Sequence, residues 1–436
     1  MARFRPFKGI RFAGEAAGDM DAAVAPPYDV ISAEQRDALY DAGRWNVTRL
    51  ILNRDGHAEA GRLFREWTEQ GNVATDADDS FYLYSQEFEV EGRLLRRTGV
   101  IGALALEPFS RAVVLPHERT FSHHKKDRLE LTTEVRANLS PIFGLYSNPD
   151  FKPEPPSGWD SPADIDVEHQ GVRHRMWVVA DQGVAESVQA ALAGRQVYIA
   201  DGHHRYATAL NYYAQLNDGA DPPSADDAPG DSEQPDAHVM AFLATFEDPG
   251  MVILPTHREL VSSGGADHGR FEESLSSGFE LRRFERTPDG RGELLAALEQ
   301  AGAAVNAFGV ALKDLDHYLL VSRPAVAEAG SPLAALDVSA LHGAVLAEAL
   351  QAAGGSGPPE ITYTVDAESL LDRVDAGELE GGFLLNATRS EQIADVCLAG
   401  ELMPEKSTYF YPKLLTGLVF HSLEAMSGEQ RHRANG

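Results

Sequence analysis

The stretch Val197-Tyr-Ile-Ala-Asp-Gly-His-His-Arg-Tyr-Ala-Thr-Ala-Leu210 changes its residue pattern in the middle, and this change predicts a strand followed by a helix. Residues 197–200 favour a strand, and Asp201-Gly202 interrupts the apolar run. Residues 206–216 then carry the apolar spacing of an amphipathic helix. His-His-Arg at 203–205 therefore occupies the first helical turn.

This turn has the chemistry of a phosphate site. Backbone amides and the dipole at a helix start favour an anion, Gly202 allows close backbone approach, and Arg205 offers a fork of donors. Asp201 is a candidate ligand for Mg²⁺ or a group that orients a hydroxyl. A helix start at His203 and His204 without any ligand is the competing interpretation. A metal site made by the two histidines is disfavoured, because adjacent helical residues point in different directions.

Composition sets the broad class of protein. A chain of 436 residues with 43% hydrophobic content is long enough for two or three domains. The net charge of −29 disfavours nucleic acid as a partner, because that binding depends on Lys and Arg. The single cysteine, Cys397, excludes an internal disulfide. The first residues precede no apolar signal region and no run is long enough to span a membrane, so we expect a cytoplasmic protein without a membrane partner.

Strand and helix patterns are mixed along the chain. Residues 81–88 and 97–106 predict a β-hairpin, and Ser32 with Gln35 predicts a capping box before a helix over 33–42. Residues 217–238 are rich in acids and prolines and predict a mobile loop. Further predicted elements are strands at 172–180, 361–364 and 382–386, a hairpin of 308–312 with 318–322, and helices over 336–352 and from 390 to a stop at Gly400. This pattern predicts an α+β protein with a second α/β domain in its C-terminal part.

Several stretches together resemble a large bacterial and archaeal family, number 1015 in the domain-of-unknown-function series, over nearly the whole chain. Besides the strand-turn-helix stretch, they are Ala25-Pro-Pro-Tyr-Asp-Val-Ile31, Pro116-His-Glu-Arg-Thr120, Asn138-Leu-Ser-Pro-Ile-Phe-Gly-Leu-Tyr146, Leu254-Pro-Thr-His-Arg258 and Met403-Pro-Glu-Lys-Ser-Thr-Tyr-Phe-Tyr-Pro-Lys413.

The Asp-Gly-His-His-Arg element also resembles the nucleotide-phosphate motif of the ParB/sulfiredoxin fold. That group includes CTP-using chromosome-partitioning proteins and free-serine kinases. The resemblance implies a ParB/sulfiredoxin-like mixed α/β core over residues 1–262, with residues 263–436 as an α/β domain that contributes to the site. It further implies that Gly202, His203 and Arg205 bind nucleotide phosphates, and that Asp201 and His204 belong to the catalytic set.

A second cluster of charges follows residue 115. His117 and Glu118 precede a run of cations that includes Lys125, and phosphoryl transfer needs a carboxylate to accept a proton and cations to offset charge. Glu118 is the candidate base, Lys125 a candidate phosphate contact and His117 a candidate substrate contact. A solvated loop with surface ion pairs is the alternative.

Two further motifs supply candidate contacts. Lys406, Ser407 and Thr408 offer a cation and two hydroxyls to a phosphate, but the glycines of a Walker A loop are missing. The alternative is an aromatic packing segment in which Ser407 or Thr408 caps a helix through residues 413–420. Asp29 follows two prolines in an extended turn and is a candidate contact to the acceptor or ribose, although most such turns are structural.

Residues 256–258 (Thr-His-Arg) follow an apolar run and supply either one more anion contact or a strand end with a surface arginine. No Gly-x-Ser-x-Gly, His-Glu-x-x-His or Gly-x-Gly-x-x-Gly motif is present, which argues against hydrolase, zinc-protease and Rossmann functions.

The resemblance implies an enzyme that uses ATP or ADP with Mg²⁺ to phosphorylate the hydroxyl of a small metabolite, with free L-serine as the nearest analogy. A ParB-like nucleotide-binding regulatory or DNA-partitioning protein is the alternative from another class. A third hypothesis is a binding or scaffold protein in which the site is a relic.

Overall fold

The computed structural model describes residues 2–119, 122–224, 234–302, 305–323 and 331–424. Of the predicted mobile loop 217–238, residues 225–233 lie outside the described residues. The strands in chain order are β1 (Phe4–Arg5), β2 (Ile10–Phe12), β3 (Val73–Thr75), β4 (Phe81–Val90), β5 (Arg93–Ala105), β6 (Val114–Leu115), β7 (Ala137–Asn138), β8 (Ile142–Tyr146), β9 (Ile165–His169), β10 (Val172–Val179), β11 (Val197–Asp201), β12 (His238–Thr245), β13 (Val252–Leu254), β14 (His257–Ser262), β15 (Glu280–Glu285), β16 (Asn306–Leu312), β17 (His317–Arg323), β18 (Glu360–Thr364), β19 (Gly381–Leu385), β20 (Tyr409–Tyr411) and β21 (His421–Ser422).

The helices in chain order are α1 (Met20–Ala23), α2 (Ala33–Ala42), α3 (Thr48–Ile51), α4 (His57–Glu69), α5 (Ser122–Val135), α6 (Gln182–Leu192), α7 (His203–Leu216), α8 (His268–Leu275), α9 (Pro288–Ala301), α10 (Asp337–Ala340), α11 (Leu350–Ala352), α12 (Ala367–Asp375) and α13 (Ser390–Leu398). A π-helical segment, Leu341–Ala349, joins α10 to α11. Within the described residues, no helix has both the length and the apolar character needed to cross a bilayer.

The chain forms two compact units. Unit one comprises Met1–Pro116, Thr120–Met251 and Pro412–Gly436, and unit two comprises His117–Arg119 and Val252–Tyr411. These bounds differ from the functional division at residue 262, which stays a prediction.

A mixed sheet forms the centre of unit one, with the strand order β6-β11-β8-β12-β5-β4-β10-β9 and β1 paired to β5. The β6–β11 and β8–β12 pairs are parallel, whereas β4 and β5 form the predicted antiparallel hairpin. The helix α7 packs its buried face into the same core. Tyr206 on this face is fully buried, and its hydroxyl donates to the Glu107 carbonyl at 2.8 Å.

The last described segment of the chain returns to unit one. The strand β21 pairs with β7, Phe420 bridges Ile10, and Thr416 bridges Ala25. Phe420 is fully buried against Phe12 and Phe64. The interpretation of residues 413–420 as a helix is therefore wrong, because their backbone groups bond to distant chain segments instead of to each other.

Unit two contains a sheet with the order β15-β17-β16-β19-β14-β18, in which each recorded pair is antiparallel. Helices α8 and α9, with the π-helical segment, pack apolar side chains against it. The short strands β13 and β20 form a separate antiparallel pair. Both units mix helices and strands, so the predicted mixed α/β composition is confirmed.

Candidate functional site

The turn between β11 and α7 places Asp201 at the end of a sheet strand and Gly202 at the start of a helix. Gly202 has φ +91° and ψ 27°, a left-handed conformation that side chains other than glycine rarely adopt. As the N-cap residue it supplies no side chain to the first helical amides. The predicted helix start, with residues 203–205 in its first turn, is confirmed.

The Asp201 carboxylate lies between two cations of unit one. Lys413 Nζ is 3.1 Å from Oδ1, and Arg205 Nη2 is 2.7 Å from Oδ2. Burial would raise the pKa of Asp201, but the Lys413 and Arg205 charges outweigh burial and hold the pKa well below its usual range. Asp201 is therefore an ionised acceptor at neutral pH. The role of Asp201 as an Mg²⁺ ligand stays a prediction. A metal ion bound there would compete with Lys413 and Arg205 for the carboxylate oxygens.

The Arg205 guanidinium lies across the turn and has two further partners besides Asp201. Its Nη1 donates to the Ser140 hydroxyl at 3.2 Å and to the Pro141 carbonyl. A Cβ atom added to Gly202 would lie 3.1 Å from the Arg205 Cζ atom. The absence of a side chain at residue 202 therefore allows the guanidinium to pack against the backbone.

Lys413 is the residue of this cluster to which the sequence analysis gave no role. Its carbonyl accepts from Gln86 Nε2 at 2.9 Å, and the preceding Pro412 carbonyl accepts from Arg97. Gln86 and Arg97 are both fully buried. Two buried side chains of the β4–β5 hairpin thus fix the backbone that presents Lys413 to Asp201.

A cavity beside the turn is lined by apolar side chains and by polar groups of unit one, the latter including Tyr28, Arg128, Ser140, Arg205 and Thr208. The Arg128 guanidinium stacks on the Tyr28 ring at 4.2 Å. Burial, supported by the Asp29 charge, raises the pKa of Tyr28 to about 12, so its hydroxyl keeps its proton. The Thr208 hydroxyl is buried without a hydrogen-bond partner. These groups offer a small polar molecule both donors and charge.

The remaining predicted site residues of unit one are Asp29, Lys125, His203 and His204, and they differ in exposure. Asp29 is exposed in a short 3₁₀ turn, Tyr28–Val30, and Lys125 is half-buried on α5. His203 is buried and contributes to the low pKa of Asp201, whereas His204 is half-buried.

The other predicted residues meet in unit two. The buried His117 ring places Nε2 2.9 Å from the Thr408 hydroxyl, and the Lys406 amide donates to Glu118 Oε1 at 2.9 Å. The Ser407 hydroxyl donates to the Pro404 carbonyl at 2.6 Å. The interpretation of His117 as part of a solvated loop is wrong, because its side chain is fully buried.

The position of Arg258 contradicts one of the two interpretations of residues 256–258, that of a strand end with a surface arginine. Arg258 is 1% exposed on β14, so it is not a surface arginine at a strand end. Its Nη1 donates to the Thr256 carbonyl, and its guanidinium stacks on Tyr363 at 5.3 Å. The apolar run before it gave no sign of this burial.

Fold and site together define a mixed α/β protein with a charged Asp-Gly-His-His-Arg turn between a sheet strand and a helix. The chain belongs to the DUF1015 family, since the family model described as "Protein of unknown function (DUF1015)" matches residues 4–339. The family resemblance inferred from the motifs is thus confirmed over residues 4–339. Its extension to the stretch 403–413 and the ParB/sulfiredoxin motif stay predictions.

No curated protein sequence matches this chain. Solved structures that resemble this chain include a variant of a free serine kinase in complex with AMP, at 14% identity and TM-score 0.36, covering 68% of this chain and 84% of that one. They include a conserved hypothetical protein from Pyrococcus furiosus, at 16% identity and TM-score 0.35, covering 69% and 89%. They also include C-terminally truncated SbnI from Staphylococcus aureus, at 10% identity and TM-score 0.36, covering 76% and 92%.

Proposed function

We propose that this protein is a nucleotide-dependent phosphotransferase that acts on the hydroxyl of a small metabolite, with free L-serine as the first acceptor to test. The observation that carries the proposal is the ionised Asp201, held between Lys413 and Arg205 at the start of α7. A helix start and two cations provide positive potential where a nucleotide phosphate would lie.

Phosphoryl transfer needs positioning and charge compensation more than covalent chemistry. The acceptor hydroxyl oxygen forms a bond to the terminal phosphorus of ATP or ADP, the bond from that phosphorus to its bridging oxygen breaks to release ADP or AMP, and the hydroxyl proton passes to a general base. In this proposal Gly202, His203 and Arg205 bind the phosphates, and Lys413 with Arg205 offsets the charge on the transferring group. The proposal includes a ParB/sulfiredoxin-like nucleotide motif at this turn.

Asp201 suits an orienting role better than that of the base. A general base works best when its pKa lies near the working pH, and the pKa of Asp201 lies far below neutrality. Its oxygens can instead fix the ammonium of Lys413 and accept a hydrogen bond from the acceptor hydroxyl. Glu118 in unit two stays the predicted base, with His204 as a further catalytic candidate.

The cavity lined by Tyr28, Arg128, Ser140, Arg205 and Thr208 is the proposed acceptor pocket. It shares Arg205 with the turn, so a bound molecule would lie next to the phosphate contacts. The unpartnered Thr208 hydroxyl and the protonated Tyr28 hydroxyl supply donors for a polar metabolite.

The test is to incubate the purified protein with Mg-ATP, Mg-ADP or Mg-CTP and a pool of hydroxyl metabolites that includes L-serine, and to detect phosphorylated products by mass spectrometry. We expect Asp201→Asn to lower kcat by roughly 100-fold or more, since it removes a preorganised charge. Arg205→Ala should chiefly raise the nucleotide KM.

Asp76→Asn is a matched control. Asp76 is also a carboxylate of unit one with an arginine partner, Arg11 at 2.7 Å, and is 13% exposed, yet it lies outside the turn and its cavity. Full activity in both Asp201→Asn and Arg205→Ala would show that the turn is not the site. Nucleotide-dependent DNA clamping without transfer to any metabolite would favour the ParB-like alternative instead.

A further inference from the structure

Unit two contains a cavity of its own, distinct from the turn at Asp201. Polar side chains from several elements line it, including Thr256, Arg258, Asn386, Thr388, Arg389 and Ser407. They come from β14 and the residue before it, from the segment between β19 and α13, and from the segment before β20. One carboxylate, Asp337, also lines it; burial raises the pKa of Asp337, and its Oδ1 accepts from Asn306 Nδ2 at 3.0 Å. Polar groups from three separate parts of the sequence therefore converge on one cavity.

Arg258 brings a buried positive charge to this cavity. Its Nη2 is 3.4 Å from the Glu405 carbonyl oxygen, its Nε is 3.4 Å from His342 Nε2, and its Nη1 donates to the Thr256 carbonyl. These acceptors are neutral, and no carboxylate among the described residues lies within ion-pair distance of Arg258; the Glu118 and Glu405 charges act on it only from farther away. Burial lowers the pKa of Arg258 to about 10, so the side chain remains charged at neutral pH without a direct counter-ion.

The Thr256 hydroxyl is a second unsatisfied group in the same cavity. Thr256 is 6% exposed, and its Oγ1 atom has no hydrogen-bond partner. A buried hydroxyl without a partner is unfavourable and calls for an explanation such as a bound ligand. A buried cation and a buried donor beside one cavity together match an acceptor that carries negative charge.

The neighbouring helix supports this assignment independently. His342 lies in the π-helical segment Leu341–Ala349, and π-helical turns occur frequently at functional sites. Burial lowers the pKa of His342 to about 4, so its ring is neutral and Nε2 can accept from Arg258. His342 thus orients the guanidinium without neutralising it.

We propose that this cavity binds the oxyanion group of a small metabolite, a phosphate or a carboxylate, with Arg258 as the charged anchor and the Thr256 hydroxyl as a donor. A guanidinium fork matches either group in geometry. The proposed site lies entirely within unit two and does not depend on the phosphotransferase proposal.

The test compares Thr256→Val with Thr416→Val in the full-length protein. Thr416 is also a buried threonine with an unpartnered hydroxyl, but it belongs to unit one and does not line the cavity. Both substitutions remove a hydroxyl that bonds to nothing in the protein, so both variants should fold. Since the Asp201 turn is intact in both variants, a difference in their anion affinities must come from the cavity.

Isothermal titration with inorganic phosphate in one arm and acetate in the other distinguishes the two oxyanion sources. We expect Thr256→Val to weaken binding of the preferred anion by roughly tenfold or more, as for a lost hydrogen bond to a charged group, and Thr416→Val to leave it unchanged. Arg258→Lys, which keeps the charge but loses the fork, should also weaken it. Equal affinities in the two threonine variants, or no binding of either anion at millimolar concentration, would overturn the proposal.

Discussion

Arg205 in unit one and Arg258 in unit two are both largely shielded from solvent, yet their charges are balanced differently. Arg205 shares the Asp201 carboxylate with Lys413, so its charge has a counter-ion within the protein. Arg258 is 1% exposed and contacts carbonyls and a neutral imidazole instead. An anion that binds at the turn must compete with Asp201, whereas an anion beside Arg258 would displace no ion-paired carboxylate.

The largest expected effect on stability comes from exchanging each arginine for methionine. Arg205→Met leaves Asp201 with one cation in place of two and should lower the free energy of unfolding by about 2–4 kcal/mol. Arg258→Met also removes the desolvation penalty of a charge without an ion pair, so we expect a change within about 1 kcal/mol. Urea unfolding of both variants without ligand measures the difference. A larger loss for Arg258→Met would mean that its contacts with carbonyls are mainly structural.

Buried histidines should make both units sensitive to acid. Burial lowers the pKa of His174, His238 and His421 in unit one to about 3, and of His257 and His342 in unit two to about 4. The unfolded chain takes up these protons near pH 6.5, before the folded protein does. The contribution of each neutral, buried histidine to the free energy of unfolding is therefore fully present above pH 6.5. It is lost as the pH falls toward the pKa of that histidine in the folded protein, by about 1.4 kcal/mol per pH unit for each histidine.

The substitution His421→Gln tests this pH dependence. Urea unfolding at pH 7, 6 and 5 should show a smaller slope in the variant than in the parent protein, by a difference that approaches about 1.4 kcal/mol per pH unit below pH 6. An unchanged slope would show that burial does not lower the pKa of His421 in the folded protein.

The smallest expected effect separates backbone strain from packing at the turn. Gly202 and Gly194 both have positive φ, +91° and +75°, but a Cβ atom at Gly194 meets nothing within 4 Å. Each alanine variant should lose about 1 kcal/mol from the left-handed backbone. Gly202→Ala should lose about 1 kcal/mol more, because Arg205 must shift away from Asp201. Equal losses in thermal or urea unfolding would mean that the guanidinium moves freely.

Local signals in the sequence predicted local structure well. The Ser32 hydroxyl accepts from the Gln35 amide, and the Gln35 side chain accepts from the Ser32 amide, as the capping box predicts. The hairpin at residues 81–106 and the helix start at His203 also follow from patterns a few residues long. In each case the deciding interactions lie within or between adjacent elements.

Interactions between distant residues could not be predicted in this way. Lys413 reaches Asp201 across 212 positions of the sequence, and no propensity reports such a pairing. The burial of Arg258 is equally hidden, because its neighbours on β14 do not indicate which face of the sheet is covered. The region of Lys413 drew attention only through the neighbouring cation and hydroxyls at 406–408 and through the motif resemblance over 403–413, neither of which indicated its pairing with Asp201.

The discontinuity of unit one has a consequence during protein synthesis. The ribosome makes Asp201 and Arg205 long before Lys413, and the whole of residues 252–411 is made in between. A nascent chain therefore carries the turn with one of its two cations until its final part has emerged. The complete charge arrangement at Asp201 thus becomes available only late in translation, so an incomplete chain that stops before residue 412 would lack it.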